Sequence, residues 1–169
     1  MRPAGTSIEI TLANAEAPPS EVEALVFEED TFLVLSAGDV VVEPEEPRAR
    51  VLANAYASQA TAPGSVLVQS GKPLRLLAVV HDLSRTPSCQ EEWVAAALAA
   101  GLRESEAHGL RTLALPLLGR VHGELELERF LTLLHDALAQ VQPRSLERLW
   151  LLAAPADLES ASRLLERWL

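Results

Sequence analysis

From Gly64 to the C-terminus, short apolar runs alternate with amphipathic segments of helix length, a pattern that few folds can satisfy. Ser65–Gln69 and Leu74–Val80 read as apolar strands around a Ser70-Gly71-Lys72-Pro73 turn, and Arg111–Leu117 and Leu146–Ala153 as two more. One predicted helix carries Trp93, Val94, Ala97, Leu98 and Leu102 on a single stripe, and a second carries Phe130, Leu131, Leu134, Leu138 and Val141. Leu158–Trp168 reads as a closing helix. Apolar strands joined by helices require right-handed crossovers, so the expected fold is α/β, with a largely parallel central sheet and helices on both faces.

Local signals mark several boundaries. Ser88 followed by Glu91 has the spacing of a capping box, which predicts a helix starting near Cys89, and Gly109 suits a left-handed stop. In the N-terminal third, Ser7–Leu12 alternates polar and apolar like an edge strand, and Pro18-Pro19-Ser20-Glu21 reads as a turn. Three further apolar runs, Val22–Phe27, Thr31–Leu35 and Val40–Val42, are separated by Glu28-Glu29-Asp30 and Ala37-Gly38-Asp39. Glu43–Pro47 is a loop or helix start, because each proline removes a donor and restricts its predecessor, and Arg48–Ala60 has helix-compatible composition. Without an internal repeat, residues 1–169 are expected to form a single domain.

Charge and cysteine usage narrow the function classes. The formal net charge is −10, with 11 acidic against 3 basic side chains in the first 50 residues. That balance opposes nucleic-acid phosphates and anionic lipid, so bulk nucleic-acid and membrane partners are not expected. The lone Cys89 rules out an intramolecular disulfide and suits a reducing cytosol. No apolar run approaches the roughly 20 residues that cross a bilayer, and the start lacks the core of an export signal. A cytoplasmic chain is therefore expected. No helix carries a His-x-x-x-His or Glu-x-x-His pair, so neither a metal nor a cofactor is indicated.

In an open α/β sheet, ligands bind beyond the carboxyl ends of the strands, where loops and helix starts offer unpaired N–H groups. The loop Gly119-Arg120-Val121-His122-Gly123 leaves one buried strand and enters a helix expected near Glu124, which makes it the leading candidate site. Glycines there also serve turning alone. His81 beside Asp82 reads as a structural histidine bonded to backbone or as a general base, and His122 as a solvated or an active loop residue. Cys89 at a helix start has either a lowered pKa or no role at all, and Glu28-Glu29-Asp30 reads as a solvated acidic loop or as a carboxylate cluster able to activate water.

Several of these segments resemble the macro domain family, which binds ADP-ribose and related nucleotides on a three-layer α/β/α fold. The resemblance is carried by Gly64-Ser65-Val66-Leu67-Val68, Leu74–His81, Glu91-Glu92-Trp93, Ala107–Pro116 and Gly123, the last glycine of the family's second phosphate loop. Val22-Glu23-Ala24-Leu25-Val26 is similar to the family's Val-Asp-Ala-Ile-Val strand, but Phe27 and Asp30 stand where asparagines follow. Ala15-Glu16-Ala17-Pro18 falls opposite Gly-Asp-Ile-Thr, which implies that Glu16 replaces the aspartate contacting the adenine amino group. The first glycine-rich loop is reduced to Ala37-Gly38-Asp39-Val40, and the second is one residue shorter with Arg120 inserted. Arg120 there either pairs with a phosphate or, with the shortening, closes the cradle.

The resemblance therefore implies a divergent macro-like domain for ADP-ribose or a related adenine nucleotide, with Glu16, Asp30, Gly38, Gly119, Arg120, Val121, His122 and Gly123 at the ligand. Loss of the asparagines points away from turnover. Two alternatives stay open: an ADP-ribosyl hydrolase or deacetylase-type enzyme, and a scaffold with a lost pocket that binds a protein partner or a second copy of itself.

Overall fold

The computed structural model describes residues 8–35 and 60–168. Six strands form one sheet: β1 (Glu9–Asn14), β2 (Ala24–Asp30), β3 (Val66–Gln69), β4 (Leu74–His81), β5 (Thr112–Pro116) and β6 (Arg148–Ala153). Their order is β1-β6-β5-β2-β4-β3, with every neighbouring pair parallel except β3–β4. Three helices are described: α1 (Glu91–Ala107) crosses from β4 to β5, α2 (Leu127–Val141) from β5 to β6, and α3 (Leu158–Trp168) follows β6. The expected α/β architecture with a mixed, largely parallel sheet is what the chain forms. β1 lies on one edge, as its alternation predicted.

Periodicity explains the packing. α2 buries Leu127, Phe130, Leu131, Leu134 and Leu138, and α1 buries Val94, Ala97, Leu98 and Leu102, the spacing of one helical face. Central strands bury both faces: Leu76 through Val80 are all buried, as a parallel strand covered on two sides requires. Gly64 has a positive φ of 87°, and a Cβ there would lie 2.9 Å from the Cβ of Ala96. Glycine thus lets the chain entering β3 approach α1 closely. Gly109 takes the left-handed conformation expected after α1.

Two local expectations are corrected. Glu28-Glu29-Asp30 is not a solvated loop, because β2 continues through all three residues and buries them. The predicted capping box does not form: α1 begins at Glu91 after an extended Gln90 with no side-chain cap, because the Ser88 hydroxyl is engaged with His81. The Val40–Val42 run, the Arg48–Ala60 segment up to residue 59 and Gly38 lie outside the described residues.

Candidate functional site

The carboxyl ends of β2, β4 and β5 converge beneath the Gly119–Gly123 loop. Glu28 connects them. Its Oε1 accepts the backbone N–H of Gly119 at 3.0 Å and lies 2.5 Å from Nε2 of His81, while Oε2 accepts the N–H of Val121 at 3.1 Å. The glutamate and histidine side chains are 1% and 0% exposed. Nδ1 of His81 lies 3.0 Å from the Ser88 hydroxyl, so the histidine bonds two side chains rather than backbone. Asp82, its sequence neighbour, bonds Ser84 and Arg85 instead.

A register irregularity makes this meeting possible. Glu28 is opposite Ala78 and Glu29 opposite Val79, but Asp30 is opposite His81. Side chains alternate faces along a strand, so without the extra residue His81 would point away from the Glu28 face. The bulge brings it onto that face.

The loop backbone has little freedom. Gly119 has φ of 82°, and a Cβ on Gly123 would fall 2.5 Å from the Gly119 carbonyl oxygen. Arg120 turns its guanidinium away from the loop centre, donating to the Leu125 carbonyl and to Asp157, both at 2.8 Å. Those contacts tie the loop to the start of α3.

Two clefts flank the loop. The smaller, of about 230 Å³, is lined by Ala15, Pro18, Leu25, Phe27, Glu28, Leu35, Pro116, Val121, His122 and Leu152 among others. It lies beyond the ends of β1, β5 and β6, beside Leu25–Glu28 of β2 where that strand has parted from β5, and is mainly apolar. The larger, of about 500 Å³, lies between the β4–α1 connection and the far end of the loop, with Ser88, Cys89, Gln90, Glu91, His122 and Gly123 in its wall. The rings of His81 and His122 meet edge to face with centroids 6.3 Å apart.

Among the residues singled out from sequence, Val121 and His122 line the smaller cleft, and His122 and Gly123 the larger. Glu16 is exposed between Ala15 and Pro18, with its N–H donated to the Asn14 side chain. Asp30 is fully buried. Its Oδ1 accepts the N–H groups of Phe32 and Val34 and so holds the turn after β2, in which Leu33 has a positive φ of 58°. Phe27, at the other asparagine position, has the Arg75 guanidinium 4.4 Å from its ring centre.

Of the two readings of Cys89, the lowered pKa is overturned. Burial and the nearby Glu28 carboxylate push its thiol up to about 11, because a thiolate there would lose solvent and face a negative charge. Sequence reasoning placed Glu28 in an acidic cluster and Ser88 at a helix cap, and did not join either to His81. The available signal was three carboxylates ending an apolar strand. Among the described residues, no group of His, Cys, Asp and Glu is arranged to hold a metal ion, and no helix is long and apolar enough to cross a membrane.

This fold has counterparts among solved structures. A point mutant of the Oceanobacillus iheyensis macrodomain superposes with a TM-score of 0.69 at 15% identity, covering 99% of this chain and 95% of that one. The macro domain of ganglioside induced differentiation associated protein 2 gives a TM-score of 0.67 at 11% identity, over 95% of this chain and 84% of that one. The fold is that of a macrodomain. The macrodomain of Thermus aquaticus DarG agrees, with a TM-score of 0.61 at 21% identity, over 88% of this chain and 99% of that one. Among these macrodomain structures, that of Oceanobacillus iheyensis has been solved with ADP and, as a point mutant, with ADPR. No family model and no curated protein matches the sequence.

Proposed function

We propose that residues 1–169 act as a single macro-type binding module for ADP-ribose or a related adenine nucleotide metabolite, held without turnover. The cleft of about 230 Å³ beyond the ends of β5 and β6 and beside β2 carries the reading, because that edge of an α/β sheet is where ligands bind. The adenosine end lies between Pro18 and Leu152 with Glu16 near the base, and the phosphates lie toward Val121, His122 and Gly123. The apolar lining supports the base.

The ligand's charge is limited from below. Glu28 already takes the N–H groups of Gly119 and Val121, so an anion above them meets a carboxylate and finds those two donors spent. Absence of turnover is supported by Asp30, which is buried and has one oxygen committed to the turn after β2.

Isothermal titration calorimetry with ADP-ribose, and with AMP for comparison, tests the reading. Saturable heat that weakens in Glu16→Ala and Gly123→Val is the expected result. Absence of heat with both ligands, from protein that melts cooperatively, overturns it and directs attention to protein partners.

A further inference from the structure

We propose that Ser88, His81 and Glu28 form a nucleophilic relay opening into the larger cleft, and that the protein transfers the acyl group of a small uncharged ester to Ser88 and then to water. The proposal uses a different cleft and a different chemistry from the nucleotide reading.

The hydrogen bonds define the direction of the relay. Both oxygens of Glu28 accept backbone N–H groups, so we take the group as a carboxylate acceptor and Nε2 of His81, 2.5 Å away, as the donor. A singly protonated imidazole then has its lone pair on Nδ1. That atom lies 3.0 Å from Ser88 Oγ, within reach of a base that takes the hydroxyl proton. An acid holding the ring, a ring facing a hydroxyl and a hydroxyl in a cleft wall make the arrangement that activates serine. The relay is buried at Glu28 and His81, whereas Ser88 is half-buried in the wall of a cleft of about 500 Å³. Gln90 and Glu91, at the uncapped start of the 17-residue helix α1, share that wall, and first-turn N–H groups without intrahelical acceptors suit a developing oxyanion. Glu124 in the same wall favours an uncharged substrate over an anion, whereas the Glu91 carboxylate there is paired with Arg129 at 2.9 Å.

In the first step Ser88 Oγ bonds the ester carbonyl carbon, its proton passes to His81 Nδ1, and the collapsing intermediate breaks the carbon–oxygen bond to the alcohol, which leaves with that proton. Water then attacks the acyl-serine and gives its proton to Nδ1. The carboxylic acid departs and Ser88 Oγ recovers a proton from His81. Ester and water become acid and alcohol.

The test uses the full chain with p-nitrophenyl acetate and a fluorophosphonate, each adduct being located by peptide mass mapping. The expected result is acetyl or phosphonyl label on Ser88, and hydrolysis that falls by about 100-fold or more in Ser88→Ala from protein that still melts cooperatively. Substitutions at His81 threaten the fold, so a second measurement uses Ser88→Cys combined with Cys89→Ala. The thiol at position 88 is expected to react with iodoacetamide at neutral pH about 10-fold faster than Cys89 does in the unaltered protein. Folded protein that hydrolyses the ester no faster than Ser88→Ala, or that takes label only on Cys89 or nowhere, overturns the proposal. The ADP-ribose titration reads the other cleft, so the two readings fail separately.

Discussion

Glu28 on β2 and His81 on β4 are in direct contact at 2.5 Å, with both side chains almost wholly removed from solvent. Glu28 also holds the Gly119 and Val121 N–H groups, so one carboxylate fastens the ends of two strands and the loop above them. Beneath the loop where the proposed ligand's phosphates would lie, this chain has an anion of its own. The arrangement is stable only while every partner is present, since a buried charge or donor left alone costs more than the intact pair contributes.

Removing the carboxylate therefore has a large effect. Glu28→Ala is expected to lower the unfolding free energy by about 3–5 kcal/mol, read from urea denaturation at neutral pH. A loss under about 1 kcal/mol, the scale of an exposed pair, would mean that water replaces the carboxylate without difficulty.

Gly123 is expected to tolerate no side chain. A Cβ would meet the Gly119 carbonyl oxygen at 2.5 Å, and the atom it strikes is backbone. Gly123→Ala should lower the melting temperature by several degrees, corresponding to about 1–3 kcal/mol, and should distort the loop's amide signals in an NMR spectrum. An unchanged spectrum and melting temperature would contradict the packing described.

Cys89 should alkylate slowly at neutral pH. With the thiol raised to about 11 by burial and then by Glu28, thiolate is scarce, and the iodoacetamide rate should climb steeply only above about pH 9–10. Glu28→Gln removes the smaller of the two causes, so it should move the profile toward lower pH without restoring an ordinary thiol. A profile centred near the usual value in the unaltered protein would contradict the burial.

The end of α1 gives an acid-sensitive contact. Glu106 accepts the N–H groups of Arg144 and Ser145 and the Ser145 hydroxyl. The Ser145 contacts lead the causes that hold its pKa below 4.5. A carboxyl depressed in the folded state stabilises above its unfolded value and loses that contribution as pH falls through the folded value. Urea midpoints of unaltered protein and Glu106→Gln should therefore differ at neutral pH and converge as pH falls below the ordinary carboxylate range, because the unaltered protein falls toward the variant. Parallel curves would show that the contact is not made in solution.

Blocking the smaller cleft separates ligand binding from stability. Ala15 is exposed at its wall, so Ala15→Trp should fill the adenosine end and reduce ADP-ribose affinity by about 10-fold or more, with a melting temperature within about 2 °C of the unaltered protein. Retained affinity would move the ligand elsewhere.

Much of the architecture was legible before any coordinates. Leu74–Val80 became β4 within one residue, and Leu158–Trp168 matched α3 at both ends, because an apolar run or a stripe of period 3.6 reports the face an element must bury. The loop between Gly119 and Gly123 was legible as well, since strand, glycine and helix start follow each other directly. The site was less so. Glu28-Glu29-Asp30 resembled a solvated break in a strand, and only the protein interior shows these residues as the strand's buried end. Ser88 carried a good local capping signal, yet His81 captured its hydroxyl across seven residues. Arg120 resembled a phosphate ligand, but Asp157, 37 residues away, holds it.

The order of strands and helices, the faces they bury and the glycine-bearing loop at the sheet's edge follow from hydrophobic periodicity, a property of neighbouring residues that survives without knowledge of the fold. The joining of Glu28, His81 and Ser88 does not, because it depends on one extra residue in the β2–β4 register and on a loop from β5 that supplies the N–H groups. Strand alternation assigns His81 to the wrong face, and only the paired sheet, with its bulge, turns the imidazole toward the carboxylate.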